Sequence, residues 1–333
     1  YETMRRLQPD FFLHSGDTIY ADGPIKSEVK LPDGSLWKNL VTEAKSKPAT
    51  TLADFRGCYQ YNLMDENVRR FHSEVPQIWQ WDDHEVKNNW SDHQDPLVAP
   101  ATQAFREYAP IASESNIYRR IPYSNLLDVF VIDLRSYRGP NTYNLQTAES
   151  PETAFFGKPQ LGWLIDGLKR SRATWKVIAS DMPIGLIVGD GKDSAGRAKF
   201  ENCANGNGAP LGRELEIAHL LRETKSVKNV VWLTADVHYT AAHHYHPDRA
   251  RFKDFHPFYE FVSGPLHAGT FGPAALDDTF GIEVLYQKHP PKGQAGLSPA
   301  AGLQFFGEVA ISPATRALPV PLRDLSRAPP SSR

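Results

Sequence analysis

Short apolar runs, each bounded by turn-forming residues, recur along the chain and indicate its architecture. Runs of this length, rich in Val, Ile and Phe, are typical of strands that are buried on both faces of a sheet. Six of them are predicted as strands, at 10–16, 75–81, 127–134, 175–181, 229–235 and 258–263.

Helical periodicity lies between several of these strands. One helix is predicted over 51–73, and two more are predicted where apolar residues recur at helical spacing. Strands that alternate with helices predict an α/β fold. The first of the two periodic segments carries Leu161, Leu164, Ile165 and Leu168, and the second carries Leu211, Leu215 and Ala218.

The last third of the chain shows strand patterns without helices between them. The segments 283–288, 303–311 and 317–322 are joined by connections rich in Pro and Gly, so we expect antiparallel strands added to a mixed sheet. No repeat or linker divides the sequence. We therefore predict a single domain over 1–325, followed by a disordered tail over 326–333.

Composition narrows the class of protein. With 333 residues, 41% of them hydrophobic, the chain can build one large enzyme domain. A net charge of −2 gives no reason to expect a nucleic acid as partner. No apolar run reaches the roughly 18 residues needed to span a bilayer. Two cysteines, Cys58 and Cys203, do not make a disulfide framework, and the oligomeric state is left open.

Polar side chains collect after four of the predicted strands, at positions where ligands bind in open α/β sheets. A single acid there usually caps a helix or forms a turn, but four strand ends that combine Asp, Asn, His and Tyr favour a metal site. Such ligands suit iron, manganese, zinc or calcium. The residues are Asp17, Tyr20, Asp82, Asp83, His84, Glu85, Asn88, Asn89, Asp181, Asp236 and His238.

The stretch FFLHSGDTIYAD, residues 11–22, places a tyrosine three residues after an aspartate in the turn that closes a strand. Tyr20 could therefore meet the same ion as Asp17. Because the pKa of an unperturbed phenol is about 10, a tyrosine ligand implies a strongly charged cation. Ferric iron fits this requirement better than magnesium. The alternative interpretation is that Tyr20 only packs over the loop.

Six long blocks of sequence carry a resemblance to a known family. They are GDTIYAD, EVPQIWQWDDHEVKNNWS, VIDLRSYRGPNTYN, TWKVIASDMPIG, VVWLTADVHYTAAHH and FYEFVSGPLHAGTFGP. From about residue 8 to about residue 312, the chain resembles the alkaline phosphatase D (PhoD-like) metallophosphatases. The resemblance implies an αββα sandwich with mixed sheets and a metal centre at the strand ends. It also implies hydrolysis of phosphate mono- and diesters, and export to the periplasm or the cell exterior.

The resemblance also implies roles for individual residues. Asp17 would bridge two metal ions, and Tyr20 would bind the trivalent one. Asp83 and Asn89 are both candidate oxygen ligands, and the sequence does not decide between them. His84, next to Asp83, would be the general acid.

The closing Asp-x-His of the family corresponds to Asp236 and His238, one residue for each metal. The implied metals are Fe³⁺ with Ca²⁺, while Zn²⁺ or Mn²⁺ are alternatives. Two such cations could clamp the attacking and leaving oxygens of a phosphoester and supply hydroxide at neutral pH. His84 would then protonate the leaving alkoxide, because the pKa of histidine lies near neutrality. The expected substrate is a small-molecule phosphoester.

One expected ligand is missing from the sequence. In the wider superfamily it lies upstream of the Gly-Asp-x-x-Tyr block, and residues 1–9 do not supply it. The chain also begins at Tyr1 without an initiator Met, so we interpret the N-terminal strand as truncated. A metal-binding fragment with little catalytic activity is therefore an alternative function. A diesterase of the phospholipase D type is a third.

Arg135 is the second predicted catalytic residue. Together with Arg138 it follows a strand, in DLRSYRG, and both guanidinium groups could grip the phosphate through paired hydrogen bonds. A loop salt bridge to Asp133 or another acid is the competing interpretation.

Four further polar residues have no settled role. Asp181 falls where the wider superfamily often places a histidine ligand. His243 and His244 are kept outside the site, because AAHHYHP alternates like a strand and one ring should pack inward. His267 lies in a glycine-rich loop that either borders the substrate pocket or has a structural role.

Overall fold

The computed structural model describes residues 1–31, 34–112 and 115–324. Contacts within the chain divide these residues into two compact units, 1–115 and 116–324. The tail predicted over 326–333 lies outside the described residues. Among the helices of the described ranges, none combines the length and the apolar character that crossing a membrane requires.

The first unit combines helices with a parallel pair of strands and a short hairpin. In chain order its elements are α1 (Glu2–Arg6), β1 (Phe12–Ser15), β2 (Glu28–Lys30), β3 (Leu36–Lys38), α2 (Leu52–Asn62), α3 (Glu66–Glu74), β4 (Gln77–Gln80) and α4 (Val98–Tyr108). Strands β1 and β4 are parallel, and β2 and β3 form the antiparallel hairpin.

The single helix predicted over 51–73 is wrong, because the chain forms α2 and α3 with a break between them. At Asp65 the backbone is extended, and the carboxylate accepts hydrogen bonds from the backbone N–H groups of Asn67 and Val68 at 2.8 and 3.0 Å. An aspartate that binds the backbone in this way competes with helix continuation and caps a new helix instead.

The second unit is built on a seven-stranded sheet. Its elements are β5 (Arg119–Pro122), β6 (Leu127–Val131), α5 (Lys158–Arg170), β7 (Trp175–Ala179), β8 (Leu186–Ile187), β9 (Gly189–Lys192), β10 (Ala198–Phe200), α6 (Glu214–Glu223), β11 (Val230–Thr234), β12 (Thr240–Tyr245), β13 (Phe258–Val262), β14 (Ala275–Leu276), β15 (Ile282–Lys288), β16 (Phe305–Gly307) and β17 (Leu322–Asp324).

The strand order of this sheet is β15-β12-β13-β11-β7-β6-β5. The inner strands β6, β7, β11 and β13 are parallel, whereas β5, β12 and β15 run antiparallel to their neighbours. The predicted α/β class with a mixed sheet is thereby confirmed, and so is the antiparallel strand predicted at 283–288. The six predicted buried strands are all present, although each is shorter than its apolar run.

Helices α5 and α6 pack their apolar sides against this sheet. Leu164 and Ile217, one from each helix, belong to the same buried cluster as Phe130 and Trp232 of the sheet. Burying a side chain of this size contributes about 1.5–3 kcal/mol. In parallel strands the carboxyl ends share one edge of the sheet, and this edge carries the polar residues that follow β6, β7 and β11.

The helix predicted to carry Leu211 begins later than expected, at Glu214. Gly212 has a φ of +55°, in the left-handed region that interrupts a helix, and a Cβ atom there would lie 2.1 Å from the side-chain oxygen of Asn144. That oxygen accepts the backbone N–H of Arg213 at 2.7 Å. Leu211 therefore lies in the turn before α6.

The strands predicted over 303–311 and 317–322 were expected to extend the mixed sheet, and that expectation is wrong. Strands β16 and β17 form a separate two-stranded sheet instead. Beyond them, Glu308 and Ala310 donate their N–H groups to the carbonyls of Pro321 and Pro319. Because proline has no N–H group to return, regular pairing is confined to 305–307 and 322–324.

Glu214, buried at the start of α6, generates a prediction about stability. Burial and the neighbouring Asp277 raise the pKa of its carboxyl to about 9. An unfolded glutamate titrates near ~4.3, so between these values the unfolded chain releases a proton that the folded protein keeps. The free energy of unfolding should therefore fall as the pH rises through this window. Glu214→Gln, which stays neutral, should reduce the fall by up to about 1.4 kcal/mol per pH unit.

Urea unfolding at several pH values between about 5 and 8 measures this slope. The control is Glu223→Gln, since the hydrogen bond from Lys169 lowers the pKa of Glu223 and removes it from the window. Equal slopes for the wild-type protein and Glu214→Gln would contradict the prediction.

Candidate metal centre

In the first unit, the candidate ligands lie in the loops that follow β1 and β4. These parallel strands end in register, with Ser15 opposite Gln80, so their loops leave the sheet side by side. Gly16 has a φ of +83°, and a Cβ atom there would lie 2.3 Å from Cβ of Asp82. Only glycine allows the two loops to approach this closely.

Glu85 connects the two loops through backbone hydrogen bonds. Its fully buried carboxylate accepts the N–H groups of Thr18 at 2.5 Å, Asp82 at 2.8 Å and Asp17 at 3.3 Å. Burial, followed by the nearby charge of Asp17, raises the pKa of Glu85 to about 8, with a further contribution from Asp83. Several carboxylates thus share a buried region, which is the environment that a cation would stabilise.

Asp17 and Tyr20 are in direct contact, as the sequence led us to expect. The hydroxyl of Tyr20 donates to Oδ2 of Asp17 at 2.8 Å. Burial and the charge of Asp17 raise the pKa of Tyr20 well above its usual value. A phenolate at this position therefore requires a strongly charged cation, which agrees with the chemistry expected for a tyrosine ligand.

Asp83 lies with Asp17 and His84 in one group of ligand-type atoms. One such atom from each residue lies within 4.8 Å of the others. The backbone N–H of Asn89 donates to Oδ2 of Asp83. Asp83 and Asn89 are thus neighbours, and the structure brings together Asp17, Tyr20, Asp83, His84 and Asn89 in the first unit.

His84 is held by an acid that had no predicted role. Nδ1 of His84 lies 2.6 Å from Oδ1 of Asp22, whose second oxygen accepts the N–H of Asn88 at 2.8 Å. Burial works to lower the pKa of His84, but the hydrogen bond to Asp22 and the charges of Asp83 and Asp17 outweigh it and raise the pKa to about 10. The hydrogen bond to Asp22 thus favours the protonated imidazole, the form that a general acid must have.

In the second unit, the turn between β11 and β12 carries the candidate ligands Asp236 and His238. Nδ1 of His238 lies 2.5 Å from the carbonyl oxygen of Gly269, so Nδ1 is the donor. Nε2 then holds the lone pair that could bind a metal, in the way that metal-binding histidines are commonly oriented. The ring of Phe271 stacks on the His238 ring with centroids 4.5 Å apart.

Arg135 lies beneath this turn and is 0% exposed. Its guanidinium donates to Glu201 at 2.7 Å and lies 3.8 Å from Asp181 and 3.9 Å from Asp236. A salt bridge to another acid is thus present, as the competing interpretation held, and Asp133 accepts the backbone N–H of Arg135. This geometry favours positioning of Asp236 over contact with a phosphate.

Arg138 and Asp181 are also buried. Arg138 donates to the carbonyl of Glu201 and to the side-chain oxygen of Asn141, the latter at 2.8 Å. Burial raises the pKa of Asp181 to about 7, while Arg135 acts in the opposite direction. The carbonyl of Asp181 accepts the N–H of Ala235, next to Asp236, so Asp181 lies against the turn that carries Asp236.

The histidines that were set aside lie outside these two groups. His243 is buried, with Nδ1 2.8 Å from Glu260, while His244 lies on the opposite face of β12 and stacks on Tyr259. The prediction that one of the two rings packs inward is confirmed. His267 is exposed, in the same loop as Gly269.

Backbone conformation distinguishes four of the predicted ligands. Among the described residues, eight that are not glycine have a positive φ, and Asp17, Asn89, Asp236 and His238 are four of them. Such conformations cost of order 1 kcal/mol or more and tend to cluster at functional sites. Half of this strain therefore falls on residues chosen from the sequence as metal ligands.

Sequence reasoning assigned no role to Asp22, Glu85 or Glu201. The first two stand inside recognised blocks, but two of the three partners of Glu85 lie 67 and 68 residues away, and His84 lies 62 residues from Asp22. The sequence shows only that Asp22 and Glu85 are acidic residues inside GDTIYAD and DDHE. Only the folded chain shows which groups they contact.

The chain is similar to known proteins over most of its length. The model of the PhoD-like phosphatase family matches residues 1–321. The chain is 28% identical over 302 residues to alkaline phosphatase D of Bacillus subtilis (strain 168). This match covers 84% of the chain and 50% of that protein. A solved structure of PhoD has a TM-score of 0.59 and 27% identity, and the match covers 79% of this chain and 53% of that one. The chain thus spans about half the length of these relatives.

The contacts of Glu85 generate a prediction about the loops that follow β1 and β4. Glu85→Gln preserves the shape but turns one acceptor oxygen into an N–H₂ group that faces backbone donors. We expect a loss of about 1–3 kcal/mol in the free energy of unfolding, the cost of leaving buried donors without an acceptor. Chemical denaturation measures this loss. Glu66→Gln, at an exposed side chain that pairs with Arg70 four residues on, is the control, and equal stability of the two variants would contradict the role of Glu85.

Proposed function

Because the chain belongs to the PhoD-like phosphatase family, we propose that it hydrolyses small-molecule phosphate mono- and diesters with bound metal ions. The observation that carries the proposal is the group formed by Asp17, Asp83 and His84, with His84 held by Asp22. Candidate metal ligands and a protonated histidine stand together there. That combination suits a reaction in which negative charge develops on a leaving oxygen.

The residues proposed to hold the cations offer oxygen and imidazole donors. We propose Fe³⁺ with Ca²⁺, and keep Zn²⁺ or Mn²⁺ as alternatives, because carboxylates and a phenol suit hard cations. When bound, these cations supply Lewis-acid stabilisation of the phosphate and a nucleophilic water at neutral pH. The proposed ligands are Asp17, Tyr20, Asp83 and Asn89 in the first unit and Asp236 and His238 in the second.

His84 is proposed to donate its proton to the leaving oxygen of the ester. Asp22 holds Nδ1, so Nε2 is the nitrogen that faces Asp83, with Oδ2 of Asp83 at 4.0 Å. A charged partner that fixes the imidazole in this way also favours the protonated form. Arg135 is proposed as a positioning residue that orients the side chain of Asp236.

Two broader expectations belong to the same proposal. The metallophosphatase-type αββα sandwich is proposed from the family, with the mixed α/β architecture as its support. Export to the periplasm or the cell exterior is proposed from the family resemblance alone.

Removal of His84 tests the role of the general acid. His84→Ala should lower kcat by roughly 10²–10⁴-fold for alkyl phosphates, whose leaving oxygen must be protonated. It should lower kcat far less for p-nitrophenyl phosphate, whose leaving group is stable as an anion. Steady-state kinetics with both esters and elemental analysis of the same samples measure the effect. An equal loss with both esters, together with an equal loss of metal, would identify His84 as a ligand instead.

Metal removal tests the proposed function itself. A chelator should abolish hydrolysis of p-nitrophenyl phosphate and its bis ester, and Fe³⁺ with Ca²⁺ should restore it better than Zn²⁺ or Mn²⁺. Ferric protein should also show the visible absorption of a phenolate–iron pair, and Tyr20→Phe should lose that band. Metal binding without turnover of either ester would support the alternative of a metal-binding fragment, and a strong preference for the bis ester would support a diesterase.

A further inference from the structure

Phe271 is a large aromatic residue held at the surface beside a proposed metal ligand. It is 43% exposed, and its ring stacks on His238 at a centroid distance of 4.5 Å and an interplanar angle of 27°. The orientation of His238 is already determined by the hydrogen bond to Gly269. One face of the Phe271 ring thus contacts the histidine, while a large part of the ring remains accessible.

The loop that carries Phe271 is closely packed on both sides of this residue. A Cβ atom at Gly269 would lie 2.9 Å from Cα of Gly296, and one at Gly272 would lie 2.5 Å from the ring of Tyr239. The carbonyl of Thr270, which is fully buried, accepts the N–H of Gly296 at 2.7 Å. The backbone on either side of Phe271 is therefore held, and its exposure follows from the packing of the loop.

We propose that Phe271 is a specificity-determining residue that contacts the organic group of the phosphoester and favours esters with an aromatic or broad apolar group. This inference rests on the proposed function. If the phosphate binds at the cations held by Asp236 and His238, the group esterified to it extends over the neighbouring surface. An exposed aromatic face there would gain from stacking and from removing apolar area from water.

Binding of phosphonates tests this inference without turnover, because their P–C bond is not a phosphoester. In the metal-loaded protein, phenylphosphonate and methylphosphonate share the charged group and differ in the apolar part. Phe271→Ala should weaken binding of phenylphosphonate roughly threefold to tenfold, the range of one aromatic contact, and leave methylphosphonate within about twofold. Phe271→Tyr, which keeps the ring, should retain the preference. Calorimetric titration of the wild-type protein and both variants with each phosphonate measures these affinities.

Kinetics with matched esters provide the second measurement. For Phe271→Ala we expect a higher KM for phenyl phosphate, little change in kcat, and no change in KM for glycerol 2-phosphate. The matched control is Tyr286→Ala, which removes another exposed aromatic side chain, on the edge strand β15. Tyr286→Ala should leave the KM for phenyl phosphate and the KM for glycerol 2-phosphate unchanged.

The outcomes separate this inference from the proposed function. If the wild-type protein hydrolyses both esters and Phe271→Ala leaves the ratio of phosphonate affinities unchanged, the specificity role is overturned while the function stands. A parallel loss on all ligands, with less bound metal, would make Phe271 a support for His238 and would also overturn it. Failure of the metal-loaded wild-type protein to hydrolyse any ester would overturn the proposed function.

Discussion

The loops that follow β1 and β4 depend on a single buried carboxylate, Glu85, that accepts N–H groups from both of them. This role requires the charged form, yet burial and the neighbouring Asp17 raise the pKa of Glu85 to about 8. The two demands conflict unless positive charge lies nearby. A cation held by Asp17 and Asp83 would resolve the conflict, so metal binding and the stability of these loops should be thermodynamically linked.

In the second unit, by contrast, the acids surround a positively charged side chain. There a fully buried arginine, Arg135, lies among Glu201, Asp181 and Asp236. Buried ion pairs of this kind stabilise a fold only when their geometry is good, but they do define orientation strongly. Arg135 therefore lies on the inner side of Asp236 and helps to fix its direction. The same arrangement explains why an arginine that looked suited to binding phosphate is buried instead.

Sequence reasoning located the strands and the predicted ligands because both depend on local pattern. Apolar runs marked β6, β7 and β11, and the acids after them marked the edge where ligands bind. What it missed depends on individual side-chain contacts and on backbone conformation. The break at Asp65 came from a side chain that bonds its own backbone, and Gly212 ended a periodic pattern through its conformation. The partner of His84 lies 62 residues away, where no periodicity can reveal it.

The positive φ values give a physical reason for the hydrogen bonds that hold these loops. Asp17, Asn89, Asp236 and His238 occupy conformations that side chains disfavour, so each needs compensation from its surroundings. The loop of Asp17 is compensated by Glu85, and the ring of His238 is fixed by the carbonyl of Gly269. Hydrogen bonds that would otherwise only stabilise loops are thus used to hold strained residues. Loops held in this way are preorganised, which is what binding a cation in a defined geometry would require.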